Sequence, residues 1–301
     1  VPQFLKERRF SHFIFIFWGA LLIFLIFASA RPARAEAFFA PGVGLRAVGA
    51  GGAFVTLADD LTAAYWNPAG LSQLSSAARF TMSLPFPNSE SLFSTQYYGA
   101  SFNLGILGVS ALLANKTYLK DSHGETRGLW QLGIGAQISS TFRAGLGLKR
   151  YARTINNESL QGYGFDLGAM IEPFPVGLLS HLTIGVKMMD IGGIVLKNKN
   201  SSAHYDIDMR ISLGAMFHWY EKRLRFLGAL DIVQHKGVDG IFLGVEGVLY
   251  EAFAARLGWS NGEATWGVSF GMNNLFRVDF MTVSNGFTVA TELMLFARKE
   301  K

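Results

Sequence analysis

The side chains available for chemistry in this chain are charged rather than nucleophilic. It has no Cys, which removes thiol catalysis, disulfides and Cys-ligated zinc. Its six His (His12, His123, His181, His204, His218 and His235) form no H-E-x-x-H and no i,i+4 pair, and no G-x-S-x-G occurs. The sequence therefore offers neither a zinc helix nor a nucleophile elbow. Ser201, Ser202, His204, Asp206 and Asp208 lie close together, but in what reads as an ordinary polar loop. Gly42-x-Gly44-x-x-Ala47 has the spacing of a phosphate-binding turn, yet no strand precedes it and no βαβ unit follows. The expectation is a protein that is not an enzyme and has no cofactor and no metal.

What remains is a patterned set of charges. Arg79, Arg143, Lys149, Asp166, Glu172, Lys187, Asp208, Arg210, Arg225, Asp231, Glu246, Arg256, Arg277, Asp279 and Glu292 share one parity of alternating segments. Eight are basic and seven acidic, a balance that suits pairing inside a narrow polar space. Ten of them are the candidate lumen charges: Arg79, Arg143, Asp166, Arg210, Arg225, Asp231, Glu246, Arg277, Asp279 and Glu292.

The elements that carry these charges are strands. Tyr163, Phe165, Leu167, Ala169 and Ile171 alternate with Gly162, Gly164, Asp166, Gly168 and Met170; Met209 to Phe217 and Trp130 to Ile138 do the same. A period of two gives one apolar and one polar face. About fourteen such segments fill residues 76–297, with turn residues such as Ser260-Asn261-Gly262 and Ser284-Asn285-Gly286 between them. Several have the roughly ten residues that a tilted strand needs to cross a bilayer. Tyr98, Phe142, Trp259, Trp266 and Phe270 lie on the apolar parity near strand ends, as interfacial girdles require. The predicted fold is all-β: a transmembrane antiparallel barrel of about 14 strands over residues 76–301. Connections after even-numbered strands read as short turns. Those after odd-numbered strands read as longer loops, among them Thr154 to Gln161 and Ile191 to Asp206. Both termini are thereby expected on the periplasmic side.

Residues 1–35 read as a signal peptide. Lys6, Arg8 and Arg9 precede the apolar run Phe13 to Phe27, and Ala33-Arg34-Ala35 supplies a cleavage site. Its removal leaves 22 basic against 21 acidic residues, so the basic balance belongs mostly to the leader and nucleic acid is not an expected partner. The expected location is the bacterial outer membrane, with its lipid as surroundings.

Residues 36–75 do not alternate and are expected to form a hatch in the lumen. A Gly-rich run from Gly42 to Gly52 leads into Ala53-Phe54-Val55, then Ala58-Asp59-Asp60, then Tyr65-Trp66-Asn67-Pro68-Ala69-Gly70-Leu71. An Asp at 59 or 60 can cap a short helix over 61–66, which Pro68 would end. This stretch resembles the N-terminal signature of the PorV/PorQ group of outer-membrane proteins, which is related to the FadL-type long-chain fatty acid transporters. The resemblance continues more weakly through Phe165-Asp166-Leu167-Gly168-Ala169 and Leu182 to Lys187. It implies a fourteen-stranded barrel with an N-terminal hatch, and places Asp59, Asp60, Asn67, Pro68 and Ala69 in the hatch motif. Two roles follow from it. The FadL side implies passage of hydrophobic small molecules, with an apolar ligand. The PorV side implies docking of secreted proteins in type IX secretion, with a secreted protein as partner. The external loops are shorter than those with which FadL-type transporters capture ligand.

Overall fold

The computed structural model describes residue 38 and residues 42–74, 76–87, 93–119, 124–172, 180–198, 201–219, 223–233, 237–249, 252–272, 276–283 and 286–297. The expected signal peptide, His12, His123 and His235 lie outside the described residues.

One antiparallel sheet of sixteen strands makes the wall. In chain order these are β1 (Ser76–Pro87), β2 (Phe93–Asn103), β3 (Leu107–Tyr118), β4 (Thr126–Gln137), β5 (Phe142–Ile155), β6 (Glu158–Ile171), β7 (Ser180–Met189), β8 (Ile194–Lys197), β9 (His204–Ile207), β10 (Arg210–Trp219), β11 (Leu224–Val233), β12 (Gly237–Leu249), β13 (Phe253–Ser260), β14 (Glu263–Met272), β15 (Phe276–Val283) and β16 (Gly286–Ala297). β8 and β9 are four residues each and form a hairpin at one rim. The other fourteen close a barrel: β1 pairs β16 from Ser76↔Ala297 to Pro87↔Gly286. Pairing thus runs round the fourteen strands, as a strand wall in lipid requires; the β6–β7 contact is short, from Leu167↔Met188 to Ile171↔Ile184. The first strand begins and the last strand ends at the same rim, and the β8–β9 hairpin stands at the opposite one.

The barrel is inside-out relative to a soluble protein. Leu148 is 63% exposed while its neighbour Lys149 is 3% exposed; Phe165 and Asp166 show 46% and 0%. Trp130, Leu132, Tyr163, Leu257 and Trp266 are also exposed, while Arg79, Gln131, Lys187, Glu246, Arg256 and Asp279 are buried. A continuous apolar belt of this extent belongs in hydrocarbon. Of the expected girdle residues, Tyr98, Phe142, Trp266 and Phe270 are exposed and Trp259 is half-buried.

Two connections differ from the sequence reading. The β5–β6 connection is a two-residue turn, not a loop over 154–161. Asn156 and Asn157 take φ of 50° and 64°, the left-handed pair of a tight hairpin that Asn tolerates, so both strands run on to the turn. The excursion after β7 is also partly regular. Asp190, Gly192 and Gly193 take positive φ and turn the chain into β8, which meets β6 at Gln161↔Lys197.

The apolar core lies in the lumen. Residues 42–74 form α1 (Leu45–Gly49), α2 (Ala63–Trp66) and a 3-10 turn (Pro68–Gln73). Phe54, Leu61, Ala64 and Leu71 are fully buried there. α1 lies against β13 to β15, and the 3-10 turn lies against β3 to β6 on the other side. Inward-facing glycines make the close fit possible. A Cβ on Gly168 would collide with the Asn67 side chain, and one on Gly258 with the backbone of Gly51.

Candidate functional site: the charged seal of the lumen

The seal has two charged anchors, each built by strand register. On one wall, Arg225, Glu246 and Arg256 are direct cross-strand partners on β11, β12 and β13. Being directly opposite, they point to the same face, so a carboxylate sits between two guanidiniums. Arg225 and Arg256 each reach Glu246 at 2.6 Å. Arg256 continues to Asp279 at 3.3 Å, and Arg277 meets Asp279 at 2.9 Å.

The lumen segment inserts into this row through Arg46, the one charged residue in residues 42–57. Its guanidinium donates to both Glu246 oxygens, at 2.8 and 2.9 Å, and to Asp59 on its own segment. Asp60 lies 3.7 Å from Arg46 and 3.9 Å from Arg277. The assembly thus holds Arg46, Arg225, Arg256 and Arg277 against Asp59, Asp60, Glu246 and Asp279, equal numbers of each sign. Burial alone would weaken the Arg46 charge, but Asp59 and Glu246 hold its pKa above the ordinary arginine value. Burial likewise opposes ionisation of Asp59, and Arg46 with Arg225 outweighs it and holds the carboxyl below the usual range.

The opposite anchor uses β5, β6 and β7. Lys149 lies 2.8 Å from Asp166 and 3.2 Å from Asp190; Lys187 lies 3.2 Å from Asp166. Tyr151 donates to Asp190 at 2.9 Å. The lumen segment meets this group through Tyr65. Its ring faces the Lys187 and Lys149 ammonium groups at 5.1 and 5.8 Å, and its carbonyl accepts from Lys187.

Asn67 is the polar bolt between segment and wall. Fully buried, it donates to the carbonyls of Val55 at 2.9 Å, Ala169 on β6 at 3.2 Å and Val186 on β7 at 3.4 Å. Its Oδ1 accepts from Ala69 N at 3.2 Å, which starts the 3-10 turn with Pro68 in first position. Asp60 Oδ1 accepts from the backbone and hydroxyl of Thr62 at 2.8 and 2.6 Å, just ahead of α2.

The other candidate charges fall in four places. Arg79 is buried and donates to the Asp59 carbonyl at 3.3 Å. Arg210 pairs with Asp239, and with Asp231 at 3.6 Å. Arg143 pairs with Glu172 at 2.7 Å, apart from the seal. Glu292 stands opposite Arg277 and Thr81 in register; its side chain lies outside the described residues. Sequence reasoning passed over Arg46, Asp190 and Asp239. Arg46 sits in a stretch with no alternation, though a lone arginine in an apolar run signals a buried partner. Asp239 is itself the extra residue of β12, skipped where the register with β11 shifts between Asp231 and Ile232, and Asp190 lies past the end of β7.

Among the described residues no cluster of His, Asp and Glu is arranged to hold a metal. In this arrangement the charges of segment and wall pair with one another and the Asn67 amide meets backbone carbonyls.

No protein-family model matches the chain, and no curated protein matches it by sequence. Solved structures do match. A deltaS2S3 mutant of the monoaromatic hydrocarbon channel TodX aligns at TM-score 0.60 and 10% identity, covering 84% of this chain and 99% of that one. The Pseudomonas putida toluene transporter TodX aligns at TM-score 0.54 and 12% identity, covering 87% and 98%. A Pseudomonas aeruginosa FadL homologue aligns at 0.54 and 11%, covering 86% and 100%. The chain has the barrel fold of the FadL and TodX channels. At these identities the likeness is one of fold.

Proposed function

We propose that this protein passes small hydrophobic molecules across the bacterial outer membrane, with residues 42–74 as a displaceable stopper. The observation that carries this reading is the Arg46–Glu246 contact. Apolar packing alone would suffice to fill a lumen for stability. This segment packs its apolar residues there and is also tied to the wall by ion pairs and carbonyl contacts, which water or a rearranged partner can replace. The fold relatives, a monoaromatic hydrocarbon channel and a toluene transporter, support an apolar cargo. Asp59, Asp60, Asn67, Pro68 and Ala69 act in this reading as the anchor of the stopper, and the wall charges as its receptor.

The test is complementation. A strain whose entry of monoaromatic hydrocarbons or fatty acids depends on a deleted channel is given this chain, and uptake is measured. Restored uptake of at least one apolar solute, altered in Asn67→Ala, is expected. Wild-type chain that is folded in the outer membrane and restores no apolar solute overturns the proposal.

The rim hairpin supports a second reading, a PorV-like docking component. Val195, Lys197, His204 and Asp206 present an exposed mixed surface there. Deleting residues 194–207 should then release a bound secreted protein while the barrel stays folded; retention of every bound protein counts against it.

A further inference from the structure

The outer face of the wall carries a feature that passage through the lumen does not use. Among the described residues of the fourteen wall strands, Arg150 is the single charged side chain on the lipid-facing parity. Its level is marked by its neighbours. Trp130, Arg150 and Tyr163 are direct cross-strand partners on β4, β5 and β6. Toward the hairpin rim, the outward residues turn polar at this level: Tyr98 gives way to Gln96 on β2, Leu113 to Asn115 on β3, and Tyr163 to Gln161 on β6. Toward the other rim they are apolar, as Leu132, Leu148 and Phe165 show. Interfacial aromatics mark the edge of the hydrocarbon layer, so Arg150 stands at headgroup depth on the rim opposite the chain ends.

The guanidinium is placed rather than free. Arg150 Nη2 donates to Gln161 Oε1 at 2.8 Å, which fixes the guanidinium beside an amide that carries further N–H donors of its own. Gln161 stands opposite Lys197 of β8, whose side chain is exposed. Two cations therefore flank one amide, their backbones about 12 Å apart at two strand spacings across and two residues along. The carboxylate on this side, Asp206, is opposite Val195 and one strand further away. Beside Arg150 the outer wall is dented. A groove of about 870 Å³ runs across β1 to β6, floored by Gly99, Ala100 and Ala111 and walled by Tyr98 and Trp130, with Arg150 and Tyr163 at one end.

We propose that the groove and the Arg150–Gln161–Lys197 group hold one molecule of lipid A, the phosphorylated glycolipid anchor of the outer leaflet, with a phosphate on the cations and an acyl chain in the groove. Any lipid tail would wet an apolar wall; the phosphate selects, because a planar guanidinium with a fixed neighbour matches it. The choice of this lipid rests on the outer-membrane reading, which puts the hairpin rim in the outer leaflet.

The experiment uses the full barrel refolded in detergent. Bisphosphorylated lipid A, dephosphorylated lipid A and phosphatidylglycerol are titrated against it, with melting temperature and intact-complex mass as readouts. A saturable rise in melting temperature and a one-lipid adduct are expected with the bisphosphorylated form. Arg150→Gln with Lys197→Gln should bind it about tenfold more weakly, the loss of a charge-assisted contact, and Arg150→Gln alone should show an intermediate loss. Equal binding by these variants, or phosphatidylglycerol or the dephosphorylated form bound as tightly, overturns the proposal while leaving transport untouched. Heat-modifiable migration on gels reports the folded barrel for each variant. A wild-type chain that forms no such barrel overturns the outer-membrane reading itself, and this inference with it.

Discussion

Arg46 and Glu246, 200 residues apart in the chain, meet through two hydrogen bonds of 2.8 and 2.9 Å between the lumen segment and the barrel wall. Glu246 is the shared anion of this anchor, since Arg225 and Arg256 bond it from the adjacent strands. The contact joins two halves of the structure with different logic. The wall folds by strand alternation, and the segment, which has none, is placed by charge and by close backbone approach.

Glu246→Gln and Arg46→Ala should therefore differ. Without the carboxylate, three guanidiniums face one another inside the barrel. Without Arg46, Glu246 keeps two partners. Breaking a buried ionic group costs about 3–5 kcal/mol, and Glu246→Gln should show a loss of that size in urea unfolding from lipid vesicles. Arg46→Ala should lose less and should raise channel conductance in planar bilayers, because the stopper is unpinned while the wall stays paired. Equal losses would mean that Glu246 is not the hub.

Asn67 gives a sharper comparison. Asn67→Ala removes the amide donor that the carbonyls of Val55, Ala169 and Val186 share, and a buried group left unsatisfied costs about 1–3 kcal/mol. Asn67→Asp has nearly the same shape, but its carboxylate offers no N–H and sets a charge against three carbonyl oxygens. The aspartate variant should be the less stable of the two in thermal melts. If shape alone held the segment, it would match the wild type.

The close approach at Gly168 is tested with its own control. Gly168→Ala puts a methyl group inside contact distance of both the Asn67 side chain and the Pro68 ring. The expected result is a folded barrel whose segment 42–74 becomes open to added protease. Gly228→Ala, whose Cβ would meet only Leu243 at 3.8 Å, should leave the digestion pattern unchanged.

The strands were legible because alternation is a local signal. In β6 the run from Tyr163 to Ile171 shows its two faces with no reference to any neighbour, and Asp166 lies inside as its parity requires. Arg46 was not legible for the opposite reason. Its partner comes from a strand 200 residues on, and nothing in the Gly-rich run records that distance. Parity also fails at irregularities. The bulge at Asp231/Ile232 brings Asp239 to Arg210, and the positive φ of Asp190 carries its carboxylate to Lys149 and Tyr151 beyond the end of β7. The motif around Asn67 could be recognised from its residues, but the carbonyls it bolts belong to two strands that only the closed barrel brings together.

On the proposed reading, Asp59 gives the stopper its acid response. Burial opposes its ionised form, the Arg46 and Arg225 charges outweigh that, Glu246 works against them, and about a quarter of its side chain is open, at 26% exposure. Its carboxyl is held below the ordinary aspartate value of about 3.9. A lowered folded pKa contributes stability that is complete above the ordinary value and is lost as pH falls through the folded one. Closure should therefore be flat from pH 8 to about pH 5 and weaken only below about pH 4, read as the open fraction of single channels in planar bilayers. Asp59→Asn lacks the charge at every pH, so at neutral pH it should open as often as the wild type does in acid. A wild-type channel that already opens between pH 7 and about pH 5 would assign the response to a group other than Asp59.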